Sequence, residues 1–238
     1  MRRLAAVCFL WLGTPTGTPA AAQIAAPDPP GPYVIDVRGA TSAIPQDASF
    51  FPPVPTATII PSRGYGIEVG AHVYLIRLGP GRLGIGASVL RVRATAAPAV
   101  PASGSTSAAT SATTIPATRP DVDATLTTLA PQLSFNFGSA EGWSYISAGV
   151  GRAQLTTGTS VFGGPGSGTT LMPAGSVDSG TRSSINVGGG ARWFAKARLA
   201  YSFDVRFHLV SAGAAAEGTS PATPRTTLVA ASAGISLR

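Results

Sequence analysis

The feature that most constrains this chain is a regular alternation of apolar and polar residues over Leu199–Val210, LAYSFDVRFHLV. Its odd-numbered residues are all apolar, and its even-numbered residues include Ser202, Asp204, Arg206 and His208. A period of two predicts a β-strand with one apolar face and one largely polar face. A strand of this length is about twice as long as the usual 5–6 residues of a strand in a soluble domain.

Seven other segments alternate in the same way, and together they predict an all-β protein of eight antiparallel strands. In Leu83–Thr95 the apolar positions change phase after Val89, which predicts a β-bulge. In Trp143–Leu155 two sets of residues compete for the apolar face, so its orientation is ambiguous. The eight predicted strands are Tyr33–Thr41, Tyr65–Leu78, Leu83–Thr95, Leu129–Phe137, Trp143–Leu155, Ser184–Trp193, Leu199–Val210 and Thr226–Leu237.

The connections between these segments alternate between long and short. The short ones are centred on Gly79–Gly81, Gly138–Glu141 and Ala195–Ala197. This alternation is typical of transmembrane β-barrels of the outer membrane, which have short periplasmic turns and long extracellular loops. The long connections are rich in Ala, Gly, Ser, Thr and Pro, and we expect them to be mobile; they are Ser42–Arg63, Ala96–Arg119, Thr159–Arg182 and Ala214–Arg225.

The first 32 residues are predicted to precede the barrel. Arg2 and Arg3, the apolar run Leu4–Leu12 and the small residues Ala20–Ala22 have the order of a signal peptide, 1–22, that is cleaved after Ala22 and directs export by the general secretory route. Residues 23–32 form a proline-rich lead-in, and 33–238 form the barrel. Cys8, the only cysteine, lies in the predicted signal peptide.

Composition excludes several other classes of protein. Only 11% of the residues are charged, against about a quarter in typical soluble domains, and 44% are apolar, which excludes a disordered chain. No run of about 18 apolar residues exists to form a transmembrane helix. The net charge is +7, but the cations are scattered singly, so no basic patch indicates a nucleic-acid partner.

Several stretches resemble the small outer-membrane β-barrel superfamily, which includes the OmpA-type transmembrane domain and the OmpX-like and OmpW-like barrels. The resemblance implies an eight-stranded up-and-down barrel in the outer membrane, inserted by the barrel assembly machinery. Members usually end in an aromatic residue, whereas this sequence ends in Leu237-Arg238. The resembling stretches are Pro131–Phe137, Tyr145–Gly151, Val187–Arg192, Phe203–Phe207 and Ala233–Arg238.

The polar faces of the predicted strands would share the interior of the barrel. An eight-stranded barrel is just wide enough for side chains, so charges there must pair with one another. We therefore expect a packed polar interior rather than a path for ions, formed by Asp36, Arg38, Glu68, His72, Gln132, Asn136, Arg192, Asp204 and Arg206.

Arginines stand where the long connections re-enter the strands. On the barrel interpretation they lie at the headgroup level of the outer leaflet, where guanidinium groups can bind phosphates bidentately. We therefore expect a rim that contacts lipopolysaccharide or a similar anionic lipid, although arginine is also this chain's ordinary surface cation. The rim residues are Arg63, Arg91, Arg93, Arg119, Arg182 and Arg225.

No residue pattern indicates an enzyme, a cofactor or a metal site. His72 and His208 lack the spacing of metal ligands, and His208 and Ser211 fall on opposite faces of a strand. The glycines at 188–190 are expected to let the barrel wall bend. Trp143, Trp193 and Tyr201 lie near the short turns and predict an aromatic girdle at the membrane interface.

The sequence therefore predicts an outer-membrane barrel with a structural or surface-interaction role. Three alternatives stay open at this point. They are a small channel or conduit for hydrophobic substrates, a surface adhesin, and a soluble exported β-sandwich.

Overall fold

The computed structural model describes most of the region predicted to form the barrel. The predicted signal peptide 1–22, almost all of the lead-in 23–32, and Arg119 lie outside the described residues, which are 32–53, 59–96, 121–139, 141–160, 175–215 and 222–238.

Nine β-strands and one short 3-10 turn make up the described secondary structure. The turn, Ala48–Phe50, follows the first strand, and no helix of the described residues is long and apolar enough to cross a bilayer. The strands are β1 (Tyr33–Ala43), β2 (Arg63–Leu78), β3 (Gly81–Ala96), β4 (Asp121–Ser139), β5 (Gly142–Ser160), β6 (Ser176–Asp178), β7 (Arg182–Lys196), β8 (Leu199–Val210) and β9 (Thr226–Leu237).

Eight of these strands close into one antiparallel up-and-down barrel. Each strand pairs with the barrel strand before and after it, and β1 pairs with β9 to close the ring. The three-residue strand β6 lies outside the ring and extends the loop end of β5. The predicted eight-stranded barrel is therefore confirmed, and the β-sandwich alternative is wrong because the described strands form one sheet that closes on itself.

Side chains alternate between the lumen and the outer surface along the barrel strands, except at the turn end of β2, where Leu75 and Ile76 are both exposed. In β8, Tyr201, Phe203 and Phe207 point outwards and are 65%, 44% and 46% exposed, whereas Asp204 and Arg206 point inwards and are buried. The bounds predicted for β8 and β9 agree with the observed ones.

Strand β3 keeps this alternation throughout, and the bulge predicted after Val89 is wrong. The pairing of Val89 with Val69, Leu90 with Glu68 and Arg91 with Ile67 is continuous. What changes after Val89 is the polarity of the two faces: Leu90 and Val92 point into the lumen, and Arg91 and Arg93 point outwards. The register shift between β2 and β3 lies instead near the short turn, between Tyr74 and Ile76.

Strands β4 and β5 are longer than predicted, at 19 residues each. Strand β4 begins at Asp121 rather than at Leu129, because its first residues pair with the end of β3 as far as Ala96. The long connection Thr159–Arg182, which was expected to be mobile, contains the strand β6, whose three residues pair with Thr156–Gly158 of β5. Backbone pairing stabilises these segments although their outward side chains are small and polar.

The connections divide the barrel into two ends. The short turns follow Leu78, Ser139 and Lys196, and the long connections follow Ala43, Ala96, Ser160 and Val210. We call these ends the turn side and the loop side. Strand β1 begins and β9 ends on the turn side, where Ile35 pairs with Leu237.

Candidate functional site

The lumen between the two ends holds a set of buried polar side chains centred on Asp36. The Arg192 guanidinium donates two hydrogen bonds to its carboxylate, from Nε to Oδ1 at 2.9 Å and from Nη2 to Oδ2 at 2.7 Å. Arg38 Nη2 lies 2.9 Å from the same Oδ2, and the Ser236 hydroxyl donates to Oδ1. Asp36 has no measurable exposure, so two arginines compensate its charge inside the protein.

Tyr145 joins this group to a second ion pair across the lumen. Arg38 donates to the Tyr145 hydroxyl at 3.1 Å, and that hydroxyl donates to Asp204 Oδ2 at 2.7 Å. The Arg192 guanidinium carbon lies 4.0 Å from the centroid of the tyrosine ring, which adds a cation–π contact.

Arg206 completes the second group. Its guanidinium lies 3.0 Å from Asp204 Oδ2, and it donates to Gln132 and to the Ser147 hydroxyl. The Gln132 amide in turn lies 2.8 Å from His72 Nε2. His72 Nδ1 lies 3.8 Å from Asp36 Oδ2, beyond hydrogen-bond distance, so His72 comes close to the first group without a hydrogen bond to it.

We call these two groups, together with Tyr145, His72 and Glu68, the polar cluster. Glu68 accepts a hydrogen bond from the Ser232 hydroxyl and lies 3.7 Å from Arg38 Nη1. Three acids and three arginines are present, so their formal charges cancel. The members are Asp36, Arg38, Glu68, His72, Gln132, Tyr145, Arg192, Asp204 and Arg206.

The structure places all nine interior residues predicted from the sequence in the lumen, and eight of them belong to the polar cluster. The ninth, Asn136, is fully buried, but its amide has no hydrogen-bond partner among the described residues. Sequence reasoning missed Tyr145 because the orientation of β5 was ambiguous. Its spacing of two from the polar Ser147 is the signal in the sequence, but Trp143 and Ile146 are apolar residues of opposite phase, so the pattern alone leaves the direction of Tyr145 open.

Trp143 differs from its prediction for the same reason. Trp193 and Tyr201 point outwards at the turn side and pair with each other, as a girdle requires, whereas Trp143 is only 1% exposed. Its ring packs in the lumen against Phe194 at 4.7 Å between centroids, and the Arg238 guanidinium covers Phe194 at 4.3 Å. Trp143 therefore helps to close the turn side of the lumen.

Inward glycines make room for the large members of the polar cluster. A Cβ at Gly190 would lie 2.7 Å from the Tyr145 hydroxyl, and one at Gly86 would lie 2.3 Å from the His72 ring. The glycines at 188 and 190 therefore provide space inside the barrel in addition to any bending of the wall.

The loop-side half of the lumen is apolar, although a polar interior was predicted throughout. Fifteen buried residues from the barrel strands and the connection after β1 form one cluster, which we call the apolar cluster. Phe50 and Phe51 of that connection belong to it, and the Thr157 hydroxyl holds the connection by donating to the Phe50 carbonyl at 2.6 Å. The cluster consists of Ala40, Ile44, Phe50, Phe51, Leu90, Val92, Ala94, Val122, Ala124, Leu126, Ala153, Leu155, Val210, Leu228 and Ala230.

The outer surface has the reverse polarity over the same two halves. Around the polar cluster the outward residues are large and apolar, and many are about half exposed, including Val69, Leu133, Val187 and Ile235. The closed ring of eight strands, the apolar belt and the charged lumen together define the architecture. The chain is a closed, eight-stranded, antiparallel up-and-down β-barrel.

Four of the predicted rim arginines lie on or beside the loop-side end of this belt. Arg91 and Arg93 point outwards from β3, Arg63 is exposed at the start of β2, and Arg225 is exposed immediately before β9. Arg182 differs, because it shares the inward phase of Ser184 and its guanidinium donates to the Ala214 carbonyl at 3.4 Å.

An outward arginine in mid-strand was missed. Arg152 lies on β5, paired with Leu129 on one side and Ser183 on the other. It shares the phase of Val150, two residues away, but it lies inside a strand and not at the end of a long connection, where most of the predicted rim arginines stand. Among the described residues, no ion pair includes Arg63, Arg91, Arg93, Arg152 or Arg225.

Comparisons with known proteins find no matching family model and no matching curated protein. Solved structures do match. Ail, the attachment invasion locus protein of Yersinia pestis, has 11% identity and a TM-score of 0.47, over 86% of this chain and 96% of Ail. The structure of Ail in complex with the heparin analogue sucrose octasulfate has 10% identity and a TM-score of 0.49, over 86% of this chain and 96% of Ail. Neisserial surface protein A, NspA, has 10% identity and a TM-score of 0.46, over 87% of this chain and 97% of NspA. Similarities this low carry no information on activity.

Proposed function

We propose that this protein is a non-conducting outer-membrane barrel with a structural or surface-interaction role. The apolar belt supports membrane insertion, because strands of about 9–11 tilted residues span a bilayer and β8 and β9 have 12 each. In this orientation the turn side faces the periplasm and the loop side faces the exterior, as in other barrels of this architecture.

The loop-side ends of β3, β4 and β5 then project beyond the membrane. Their outward residues are polar or charged, as shown by Arg93, Asp123 and Thr156, and their inward residues belong to the apolar cluster or adjoin it. A polar surface exposed to water around an apolar core is the arrangement of a soluble β-structure. This projecting wall, with the long connections that it carries, is the surface available to partners.

The observation that carries the non-conducting role is the apolar cluster. An ion that enters the polar cluster from the turn side would have to leave water entirely to pass Phe50, Leu126 and Val92. Removing an ion from water into an apolar environment is strongly unfavourable. The polar cluster therefore acts as a neutral, packed interior rather than as one end of a channel.

Conductance in planar bilayers tests this role. The wild-type protein is expected to show no steady single-channel step. The double variant Phe50→Ala/Phe51→Ala removes the part of the seal contributed by the connection, while Tyr65→Ala changes an outward aromatic residue as a control. A conductance step confined to the double variant would identify the apolar cluster as the seal. A large, reproducible step in the wild type would contradict the proposal.

The route to the membrane belongs to the same proposal. The predicted signal peptide 1–22 directs export by the general secretory route, and the barrel assembly machinery inserts the barrel. Protein recovered from outer membranes is then expected to begin at Gln23, and its folded form should migrate differently on gels before and after heating. Recovery of the protein in the soluble periplasmic fraction would contradict membrane insertion.

We also propose that the rim arginines contact anionic headgroups such as those of lipopolysaccharide. The support is the position of Arg63, Arg91, Arg93 and Arg225 at the edge of the apolar belt without ion pairs among the described residues. Arg119 belongs to this proposal by its place in the sequence, and the inward phase of Arg182 removes it. Replacing these five by Gln is expected to lower thermal stability in anionic bilayers and not in neutral ones. An equal change in both would contradict the proposal.

A further inference from the structure

One row of residues on the outer surface combines two arginines with two serines at the edge of the apolar belt. Arg152 of β5 pairs with Ser183 of β7, and the Ser211 amide donates to the Ser183 carbonyl at 2.9 Å. Thr226 pairs with Val210, so Arg225 lies opposite Ser211 on the neighbouring strand. The row therefore runs Arg152, Ser183, Ser211, Arg225 across four strands, over about 14 Å at the usual strand spacing.

An apolar depression lies directly beneath this row. Three apolar residues on β5, β7 and β8 lie two positions nearer the turn side than the row, and they pair with one another. They are Val150, Ile185 and Leu209. They line an open depression of about 580 Å³ together with residues of the row itself. Side chains two residues apart share one face of a strand, so Arg152, Ser183 and Ser211 each stand above an apolar side chain. Thr227 lies below Arg225 on β9.

A second depression continues the first one towards the turn side. It has a volume of about 660 Å³ and is lined by Ala148, Val187 and Phe207, which lie two residues further along the same strands. Gly189 contributes no side chain to the surface here. The two depressions follow each other down the outer wall from the charged row into the apolar belt.

The backbone of the wall is interrupted beside this surface. The β4–β5 pairing includes Leu129 with Arg152 and Leu133 with Ala148, but it omits the residues around Pro131. Proline has no N–H to donate to the ladder. On the opposite strand, a Cβ at Gly149 would lie 2.0 Å from the Pro131 carbonyl oxygen, so the backbones approach closely there. The first depression therefore borders the one β4–β5 segment that lacks pairing among the described barrel residues.

We propose that this surface binds a phosphate-bearing lipid of the outer leaflet. Arg152 and Arg225 would hold the phosphate from two sides, because a guanidinium donates two parallel hydrogen bonds to such an oxyanion. The hydroxyls of Ser183 and Ser211 supply further donors between them. An acyl chain of the same lipid lies along Val150, Ile185 and Leu209 into the second depression.

The inference rests on the proposed membrane orientation and deepens the rim proposal by naming one bound lipid and its site. The charge complementarity favours this occupant over a second copy of the chain. Arg152 and Arg225 have no acidic partner among the described residues, whereas the row lies at the level where lipid phosphates meet the belt. A neutral lipid would leave both arginines unpaired.

Native mass spectrometry of the full barrel, loaded with lipid A in detergent micelles, tests the site. The double variant Arg152→Gln/Arg225→Gln is expected to retain about tenfold less lipid A than the wild type, because charged hydrogen bonds are lost. Arg77→Gln/Arg198→Gln makes the same change in net charge on the turn side and should retain the wild-type amount. Retention of diacylglycerol, which has acyl chains but no phosphate, should be the same in all proteins.

A third variant separates this site from a diffuse rim. Arg91→Gln/Arg93→Gln removes two rim arginines from another face and is expected to lower lipid A retention far less than Arg152→Gln/Arg225→Gln. Equal losses would overturn the site and leave the rim proposal standing, and no loss in either would overturn both. Displacement of lipid A by millimolar inorganic phosphate alone would show a phosphate site rather than a lipid site and would also overturn the inference.

The apolar half of the site has its own test. Leu209→Trp fills the first depression without changing charge, and Val69→Trp adds the same side chain to another face of the belt. Leu209→Trp is expected to lower lipid A retention several-fold, and Val69→Trp is expected to have no effect. Equal retention by the two variants would contradict a bound acyl chain.

Discussion

The two ends of β3 place the same alternation in opposite surroundings. Up to the middle of the strand, Val89 points outwards to the apolar belt and Ser88 points into the lumen, whereas beyond them Arg93 points outwards and Val92 points inwards. The pleat sets the direction of each side chain, and the medium on each side of the wall sets its polarity. The reversal of polarity therefore marks where the wall leaves the membrane.

The lumen is filled by different physical means in these two halves. The polar cluster fills it with charges that compensate one another, and the apolar cluster fills it by removing apolar surface from water. The stability of the polar cluster depends on every charged partner being present, whereas the stability of the apolar cluster depends on the volume that its side chains fill. Variants in the two halves should therefore differ in how their effects combine.

The largest effect is expected in the polar cluster. Asp36→Ala leaves Arg38 and Arg192 without their shared carboxylate and is expected to cost about 3–5 kcal/mol in the free energy of unfolding from lipid vesicles. Adding Arg192→Met should recover part of this cost, because it removes one of the stranded charges. Ser236→Ala, which removes only a hydroxyl donor to Asp36, should cost about 1 kcal/mol. If Asp36→Ala cost no more than Ser236→Ala, the charges would not be held in a dry interior.

The apolar cluster should respond through the volume that is lost. Leu126→Ala is expected to cost about 2–5 kcal/mol, measured by the same unfolding transition. Combined with Asp36→Ala, its effect should simply add, because the two residues share no partner. Strong coupling between them would contradict the division of the lumen into two independent halves.

The outer surface should show the same division along a single strand. Leu133→Arg places a charge on the apolar belt and is expected to cost about 2–4 kcal/mol if the site lies near the bilayer midplane. Thr127→Arg on the projecting part of β4 should cost little, because its side chain lies in water. Equal costs for the two variants, measured in vesicles, would show that the reversal of polarity does not mark the membrane boundary.

The smallest of the four effects concerns space in the lumen. A Cβ at Gly190 would lie 2.0 Å from the Phe203 carbonyl oxygen as well as near Tyr145, so Gly190→Ala is expected to cost about 1–3 kcal/mol. At Gly142 the nearest atom would be 3.4 Å away, so Gly142→Ala is the matched control with a smaller cost. A tolerated Gly190→Ala would indicate free space beside the polar cluster.

The barrel could be predicted because the period-two alternation of β8 and β9 is visible in a single sequence. The start of β4 at Asp121 could not be predicted, because the outward residues of that part are polar and its composition is that of a loop. The sequence assigned nine interior residues to the lumen by their position in the pattern. Their partners were beyond its reach, because the contact of Asp36 with Arg192 depends on how β1 and β7 face each other across the closed ring.

Tyr145 and Arg152 show the same limit within one strand. Both follow from the orientation of β5, which alternation alone leaves open because Trp143 and Ile146 are both apolar. Only the closed barrel decides which of the two points into the lumen.

The most direct test of the account is a nitroxide scan along β3 with single cysteines in the mature chain, where the predicted processing removes Cys8. Labels at Ile85, Ala87 and Val89 are expected to collide with oxygen dissolved in lipid, and labels at Arg91 and Arg93 with a water-soluble nickel chelate. Labels at Ser88, Leu90 and Val92 should be reached by neither reagent, because the lumen is packed. Nickel access at these inward positions, or no change of medium between Val89 and Arg91, would contradict a sealed barrel whose polarity reverses at the membrane surface.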